Sequence, residues 1–154
     1  MTTRDSPEGQ ALNEFKIANF LALKLCATIQ PKVDGKDYTK DITLVTQRET
    51  RVEVKWDYKA AETGRIYLET YNTYRKEVSG IRATRSELWA HYIPGLKLLL
   101  TFSPKLMLEH LEVHYQDAGY MRVRGGDRNS QGIIIDIDLV RKIPFVESQD
   151  DLTL

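Results

Sequence analysis

Four residues in the first half of the chain have the types and spacing for metal-assisted hydrolysis: Asp41, Glu53, Lys55 and Asp57. Side chains on a β-strand alternate between two faces. Along Arg51-Val52-Glu53-Val54-Lys55-Trp56-Asp57 this sends Val52, Val54 and Trp56 one way, into a core. Glu53, Lys55 and Asp57 share the opposite face, two carboxylates flanking an amine. Asp41 opens the preceding run, Asp41-Ile42-Thr43-Leu44-Val45-Thr46, and the polar turn Gln47-Arg48-Glu49-Thr50 between the runs predicts an antiparallel hairpin. Mg²⁺ takes a few carboxylates, with waters and substrate phosphate oxygens completing its shell. Asp41 and Glu53 on neighbouring strands would supply two such ligands and the Val54 carbonyl a third. Lys55 would orient or deprotonate the attacking water, or stabilise charge developing on a phosphate. Spacing alone does not separate this chemistry from a solvent-facing strand whose charges merely alternate.

The elements that would position these residues follow from periodicity and turn chemistry. A helix is predicted from Pro7 or Glu8 to Lys24 or Leu25, with Ala11, Phe15, Ile17, Ala18, Leu21, Ala22 and Leu25 on one stripe. Glu14 projects from the middle of that stripe. An unpaired carboxylate there costs several kcal/mol, roughly, so Glu14 either reaches solvent or a lysine at the stripe edge or joins the metal site. Ala27 to Gln30 reads as a short strand, and Pro31 to Lys40 as a polar loop. Arg65 to Tyr71 alternates as a third strand. Thr84-Arg85-Ser86-Glu87 has the form of a capping box, predicting a short helix that Pro94-Gly95 stops. Leu96 to Phe102 reads as a largely buried strand. Ser103-Pro104 caps a helix from 104 to about 116. Strands at Tyr120–Arg124 and Gly132–Leu139 are joined by the turn Gly125-Gly126-Asp127-Arg128-Asn129. The ends, residues 1–7 and the acidic stretch 147–154, are expected to be disordered. The sum is one domain over residues 1–154, an α/β or α+β sandwich with a mixed sheet flanked by helices.

Composition narrows the function classes. Hydrophobic residues make up 42% of the chain and charged residues 29%, ordinary for a globular protein. No apolar run is long enough to span a bilayer, and Met1 to Pro7 lacks the charged-then-apolar order of a secretory signal. The single cysteine, Cys26, excludes an internal disulfide, fits a reducing cytoplasm and reads as a small buried hydrophobe. A net charge of zero weighs against a protein that coats nucleic acid non-specifically. It leaves room for an acidic site offset by a basic rim drawn from Lys32, Lys36, Lys40, Arg48, Arg51, Lys59, Arg65, Arg75, Lys76, Arg82 and Arg85.

Asp41 followed by Glu53-Val54-Lys55 after a hairpin resembles the core motif of the PD-(D/E)XK nuclease superfamily, whose fold is a restriction-endonuclease-like mixed sheet flanked by helices. Glu14 in a first helix resembles the additional N-terminal acid of the branch that includes Holliday-junction resolvases and phage junction-resolving endonucleases. The order Glu53-Val54-Lys55-Trp56-Asp57, Thr63-Gly64-Arg65-Ile66-Tyr67-Leu68-Glu69, Ser79-Gly80-Ile81, Thr84 and Trp89 is similar to that of small phage nuclease-like proteins. This likeness covers roughly residues 10–102. It implies a Mg²⁺- or Mn²⁺-dependent nuclease acting on DNA, with branched DNA or junctions as candidate substrates in phage replication, recombination or repair, and with a homodimer as the family's usual assembly. It also implies that Asp41, Glu53 and Glu14 bind metal and that Lys55 is catalytic. Glu69 and Asp57 become candidates for support behind the ligands, and Ser79 and Thr84 for a substrate loop beside a helix N-terminus. Three positions depart from the pattern: Lys40 stands in place of proline, Arg65 in place of asparagine, and Ser86-Glu87 in place of Ala-Asp. The rival expectation is a non-catalytic nucleic-acid- or protein-binding module on the same scaffold.

Other constellations carry less. His110 and His114 stand one helical turn apart without a third ligand or the H-E-x-x-H arrangement, and read as a helix surface pair. Gly125-Gly126-Asp127 lacks the Gly-Lys-Ser/Thr sequel of a phosphate-binding loop.

Overall fold

The chain begins with helix α1 (Pro7–Lys24), whose buried side chains are Ile17, Ala18, Leu21 and Ala22. The apolar stripe is narrower than its sequence predicts, because Ala11 and Phe15 are exposed. Strands β1 (Thr28–Gln30), β2 (Asp41–Val45) and β3 (Glu49–Trp56) follow, then the short helix α2 (Lys59–Thr63) and strands β4 (Arg65–Asn72) and β5 (Glu77–Val78). A 3₁₀ turn at Gly80–Arg82 leads to β6 (Leu88–Ile93), β7 (Leu98–Phe102) and helix α3 (Pro104–His114). Strands β8 (Tyr120–Arg124) and β9 (Ser130–Asp136), helix α4 (Ile137–Val140) and strand β10 (Glu147–Gln149) complete the chain. This computed structural model describes residues 7–24, 28–30, 41–45, 49–125 and 129–154. Cys26, Lys32, Lys36, Lys40, Arg48 and the centre of the turn after Gly125 lie outside the described residues, as does the side chain of Asp41.

The strands form two sheets, one of six strands in the order β1-β2-β3-β6-β7-β10 and one of four in the order β5-β4-β9-β8. β3 and β6 run parallel, and every other pairing is antiparallel. Parallel neighbours need a crossover, and here the crossover carries α2, β4 and β5, so half of the second sheet is built inside a connection of the first. The mixed α+β architecture agrees with the sequence.

Two cores result. α1 covers one face of the six-stranded sheet, packing Ile17, Leu21 and Ala22 against Val52, Val54, Ala90, Tyr92 and Leu99. The other face packs against the four-stranded sheet through Trp89, Leu98, Leu100 and Phe102 on one side and Ile66, Leu68, Ile133 and Ile135 on the other. Gly132 permits tight pairing in the second sheet: a Cβ there would collide with the ring of Tyr67 and the carbonyl of Leu68. Tyr67 crosses this glycine, and its hydroxyl bonds the Ser130 hydroxyl at 3.1 Å.

Three sequence expectations are corrected. The helix predicted from Thr84 is instead a short connection leading into β6. Thr84 Oγ1 accepts from Ser86 N two residues on, and the Glu87 N–H that a capping box would satisfy donates to Arg51 O at 2.9 Å. That bond starts the parallel ladder, and Leu88–Ile93, between two strands, is buried from Trp89 onward. The strand predicted through Leu139 ends at Asp136, where α4 begins. The acidic tail is ordered: Glu147–Gln149 pairs with β7, Leu152 and Leu154 pack against the α1 core, and Arg141 bridges Asp150 at 2.7 Å.

The tail is also tied by the Tyr92 hydroxyl, which donates to Leu152 O at 2.6 Å. Tyr92→Phe should therefore lower unfolding stability by about 1 kcal/mol, read as a shift of the urea midpoint at unchanged slope. An unchanged midpoint would show that the tail is held by packing alone.

Candidate active site at the β2–β3 hairpin

Register places the predicted acids with respect to one another. Asp41 stands directly opposite Glu53 in the antiparallel β2–β3 pair, and directly opposed residues share a face of the sheet. β2 begins at this pair, so Val54 is the first residue of β3 beyond β2's reach among the described residues. Glu53 lies on the face toward the second sheet and is buried, at 8% exposure. Its carboxylate meets Lys55 Nζ at 2.6 Å. Lys55 is partly exposed, and its Nζ lies 5.3 Å from the centroid of the Trp89 ring. A carboxylate on one side and an aromatic face on another both favour a cation.

Behind this pair stands a buried network that joins the candidate Asp57 to Trp89 through His91, a residue the sequence does not mark as functional. Trp89 Nε1 donates to His91 Nδ1 at 3.4 Å, and His91 Nε2 meets Asp57 Oδ2 at 3.0 Å. With Nδ1 accepting, the proton of a neutral ring sits on Nε2 and is donated to Asp57. His91 is opposite Lys55 in the parallel ladder, and Trp89 is opposite Glu53. The network therefore braces the strand that faces the pair. The signal for it in the sequence is one histidine inside the otherwise apolar run Leu88–Ile93.

Asp57 is engaged on two sides, accepting from His91 and, at 3.0 Å, from the Ala60 N–H at the start of α2. Burial alone would raise its pKa. The hydrogen bond to His91 and the Ala60 and Lys59 N–H groups outweigh that effect and hold it below its ordinary 3.8.

The remaining predicted residues lie apart. Glu14 stands on α1, which covers the face carrying Val52 and Val54, whereas Glu53 points to the other face. Among the described residues no three His, Cys, Asp or Glu side chains gather closely enough to hold a metal ion. The predicted set Glu14, Asp41 and Glu53 includes an acid, Asp41, whose side chain lies outside the described residues. Glu53 and the Val54 carbonyl are oxygen donors of the class Mg²⁺ prefers, and Asp41 stands at the register position opposite Glu53. Glu69 belongs to the second sheet, opposite Gly132, with its carbonyl and Cβ against Gly80. Gly80 has φ of +54°, and a Cβ there would strike the Glu69 carbonyl. Ser79 is buried, its N–H bonded to Thr70 O, and Thr84 N–H bonds Gly80 O. These residues shape a tight turn, and no helix N-terminus stands beside Thr84 because the predicted helix is β6.

Of the predicted basic rim, Arg65 is paired with Asp136 at 2.8 Å and Arg75 with Glu77 at 3.3 Å, while Arg51, Lys59, Lys76, Arg82 and Arg85 are exposed. The departure at Arg65 thus ties β4 to the end of β9. His110 and His114 lie with ring centroids 4.3 Å apart and planes tilted by 34°, His110 bonded to the Tyr120 hydroxyl and His114 to Asp117. Comparison with protein-family models, curated proteins and solved structures finds no match to the chain.

The Asp57 geometry sets an acid limit on stability. Its folded-state pKa lies below 3.8, so the unfolded chain takes up the proton first as pH falls. The associated stability is complete well above pH 3.8 and is lost as pH drops through the folded value. Asp57→Asn should lower stability at neutral pH and flatten the decline between about pH 5 and pH 2 in urea titrations. An acid decline of unchanged steepness would assign it to other carboxylates.

Proposed function

We propose that the chain is a Mg²⁺- or Mn²⁺-dependent nuclease that hydrolyses phosphodiester bonds in DNA at the β2–β3 hairpin. The observation that carries this reading is the register that sets Asp41 opposite Glu53, with Lys55 two residues along the same face and 2.6 Å from the Glu53 carboxylate. A metal ion held by Glu53, Asp41 and the Val54 carbonyl would neutralise phosphate charge and acidify its bound water. Lys55, cationic and partly exposed, is suited to donate to a non-bridging phosphate oxygen as charge develops there. Trp89 and His91 fix the neighbouring strand, which keeps the Lys55 amine from wandering. Glu14, on α1, is the further metal ligand that the resemblance implies. The resemblance to the PD-(D/E)XK superfamily supports the assignment of these roles and suggests phage replication, recombination or repair. It further suggests branched DNA or junctions as substrate, a homodimeric assembly and action in the cytoplasm of the host cell. Among the described residues no helix is long and apolar enough to cross a membrane, so a DNA substrate need not be reached through one.

Glu53→Gln and Lys55→Ala should each lower cleavage of linear or four-way-junction DNA in Mn²⁺ by at least about 10²-fold. Breaking a buried ion pair also costs stability, so rates are compared at matched folded fraction. Cleavage that persists in chelator, or cleavage by both variants equal to that of wild type, would refute the proposal. The ion pair itself favours a second reading, a binding module, because a carboxylate already neutralised within the protein has less need of a metal. Thermal melting in Mn²⁺ separates the two. Stabilisation that Asp41→Ala removes supports the nuclease, and no shift at millimolar metal supports the module.

A further inference from the structure

The second sheet carries a groove of about 450 Å³ whose lining includes Thr70, Tyr71, Arg82, Arg122, Arg124 and Gln131. We propose that this groove binds single-stranded nucleic acid by its phosphodiester backbone. Binding there needs no metal and stands apart from hydrolysis at the hairpin. Only the identity of the bound strand as substrate rests on the nuclease reading.

Register converges the arginines. Arg122 stands opposite Ile133 on β9, and Arg124 opposite Gln131, which in turn stands opposite Tyr71 on β4. Ile133 is buried between the sheets, so Arg122 and Arg124 continue the core-facing side of β8 beyond the margin of the core. Arg82 enters from the 3₁₀ turn, more than a strand away in the sequence.

The charge is local and uncompensated. No Asp or Glu lines the groove, and among the described residues no ion pair engages Arg82, Arg122 or Arg124, whereas Arg65, Arg75 and Arg141 are each paired. In a chain of zero net charge, three guanidinium groups on one concave surface create a focused positive potential. The Arg122 guanidinium also lies 4.1 Å from the centroid of the Tyr115 ring. Stacking fixes its plane and leaves its N–H edge to grip a phosphate as a fork.

Chemistry and size select the ligand. Tyr71, which lines the groove, offers a ring of the kind on which bases stack, which an acidic peptide does not use. The volume falls in the range of pockets for single small molecules, enough for the backbone and bases of one strand and too little for a duplex.

The test is fluorescence anisotropy in chelator with labelled oligo-dT, oligo-U, a short DNA duplex and the competitor poly-glutamate. Wild type should bind at least one single strand saturably. Arg122→Ala/Arg124→Ala should weaken that binding at least about 10-fold and reduce the slope of log K against log salt by about 1.4, at about 0.7 per phosphate contact for single strands. Arg82→Ala, on an exposed turn, should weaken binding without disturbing β8, which keeps the result readable if the double variant unfolds. Preference for oligo-dT or for oligo-U supports the proposal and names the sugar. Absent wild-type binding, unchanged affinity in the folded variants, equal arginine-dependent binding of duplex, or displacement by poly-glutamate at matched charge would each overturn it. A failed nuclease reading looks different: strand binding persists in chelator while no cleavage follows addition of Mn²⁺.

Discussion

The parallel ladder between β3 and β6 is the interaction on which the rest of the structure depends. It sets Val54 beside Ala90 over α1, and Glu53 beside Trp89 toward the second sheet. One pairing therefore separates the two cores and decides which side chains of the hairpin meet which neighbours. It also obliges the chain to cross over between the two strands, and the crossover supplies β4, the strand on which the second core is founded. Lys55 beside His91, with Asp57 N–H bonded to Tyr92 O at 2.8 Å, extends the ladder to the point where the charged residues cluster. Fold and candidate site are consequences of the same register.

Burial distinguishes this hairpin from an ordinary alternating surface strand. Glu53 is 8% exposed, and a carboxylate so placed is costly unless it is paired or bound to a cation. Lys55 meets that requirement within the protein, while Trp89 contributes its ring to the same ammonium. Asp57 is turned to another task, joining the start of α2 to His91. Two acids that look equivalent along the sequence thus diverge, one beside the amine and the other in the scaffold. The alternation reveals the shared face but not this division.

The hairpin was legible because its signals are local: period-two alternation and a polar turn. Ser103-Pro104 was legible for the same reason, the Ser103 side chain accepting from Leu106 N–H as a cap should. β6 was not, because the Glu87 N–H just before it donates to Arg51 O, far away in sequence, and local capping chemistry loses to that pairing. The acidic tail misled similarly, since its charges speak for solvent while Leu152 and Leu154 and a ladder to β7 hold it in place. Helical periodicity gave α1 its buried residues Ile17, Ala18, Leu21 and Ala22, yet no periodicity tells which side of a sheet a helix will cover. Of the groove's arginines the predicted basic rim holds only Arg82; Arg122 and Arg124 share one face of β8, and only the pairing of β8 with β9 and the turn at Gly80–Arg82 brings the three together.

The two sheets cannot be parted. Since β4 and β5 are threaded between β3 and β6, whereas β8 and β9 arrive only after β7 and α3, neither sheet corresponds to a continuous piece of chain. Cutting the polypeptide anywhere between β4 and β9 leaves strands of both sheets without partners. Closing the ladder at the centre requires a long loop to be fixed first, a demand that slows folding without lowering final stability. Strands interleaved in this way couple the two sheets, which favours a single cooperative unfolding transition.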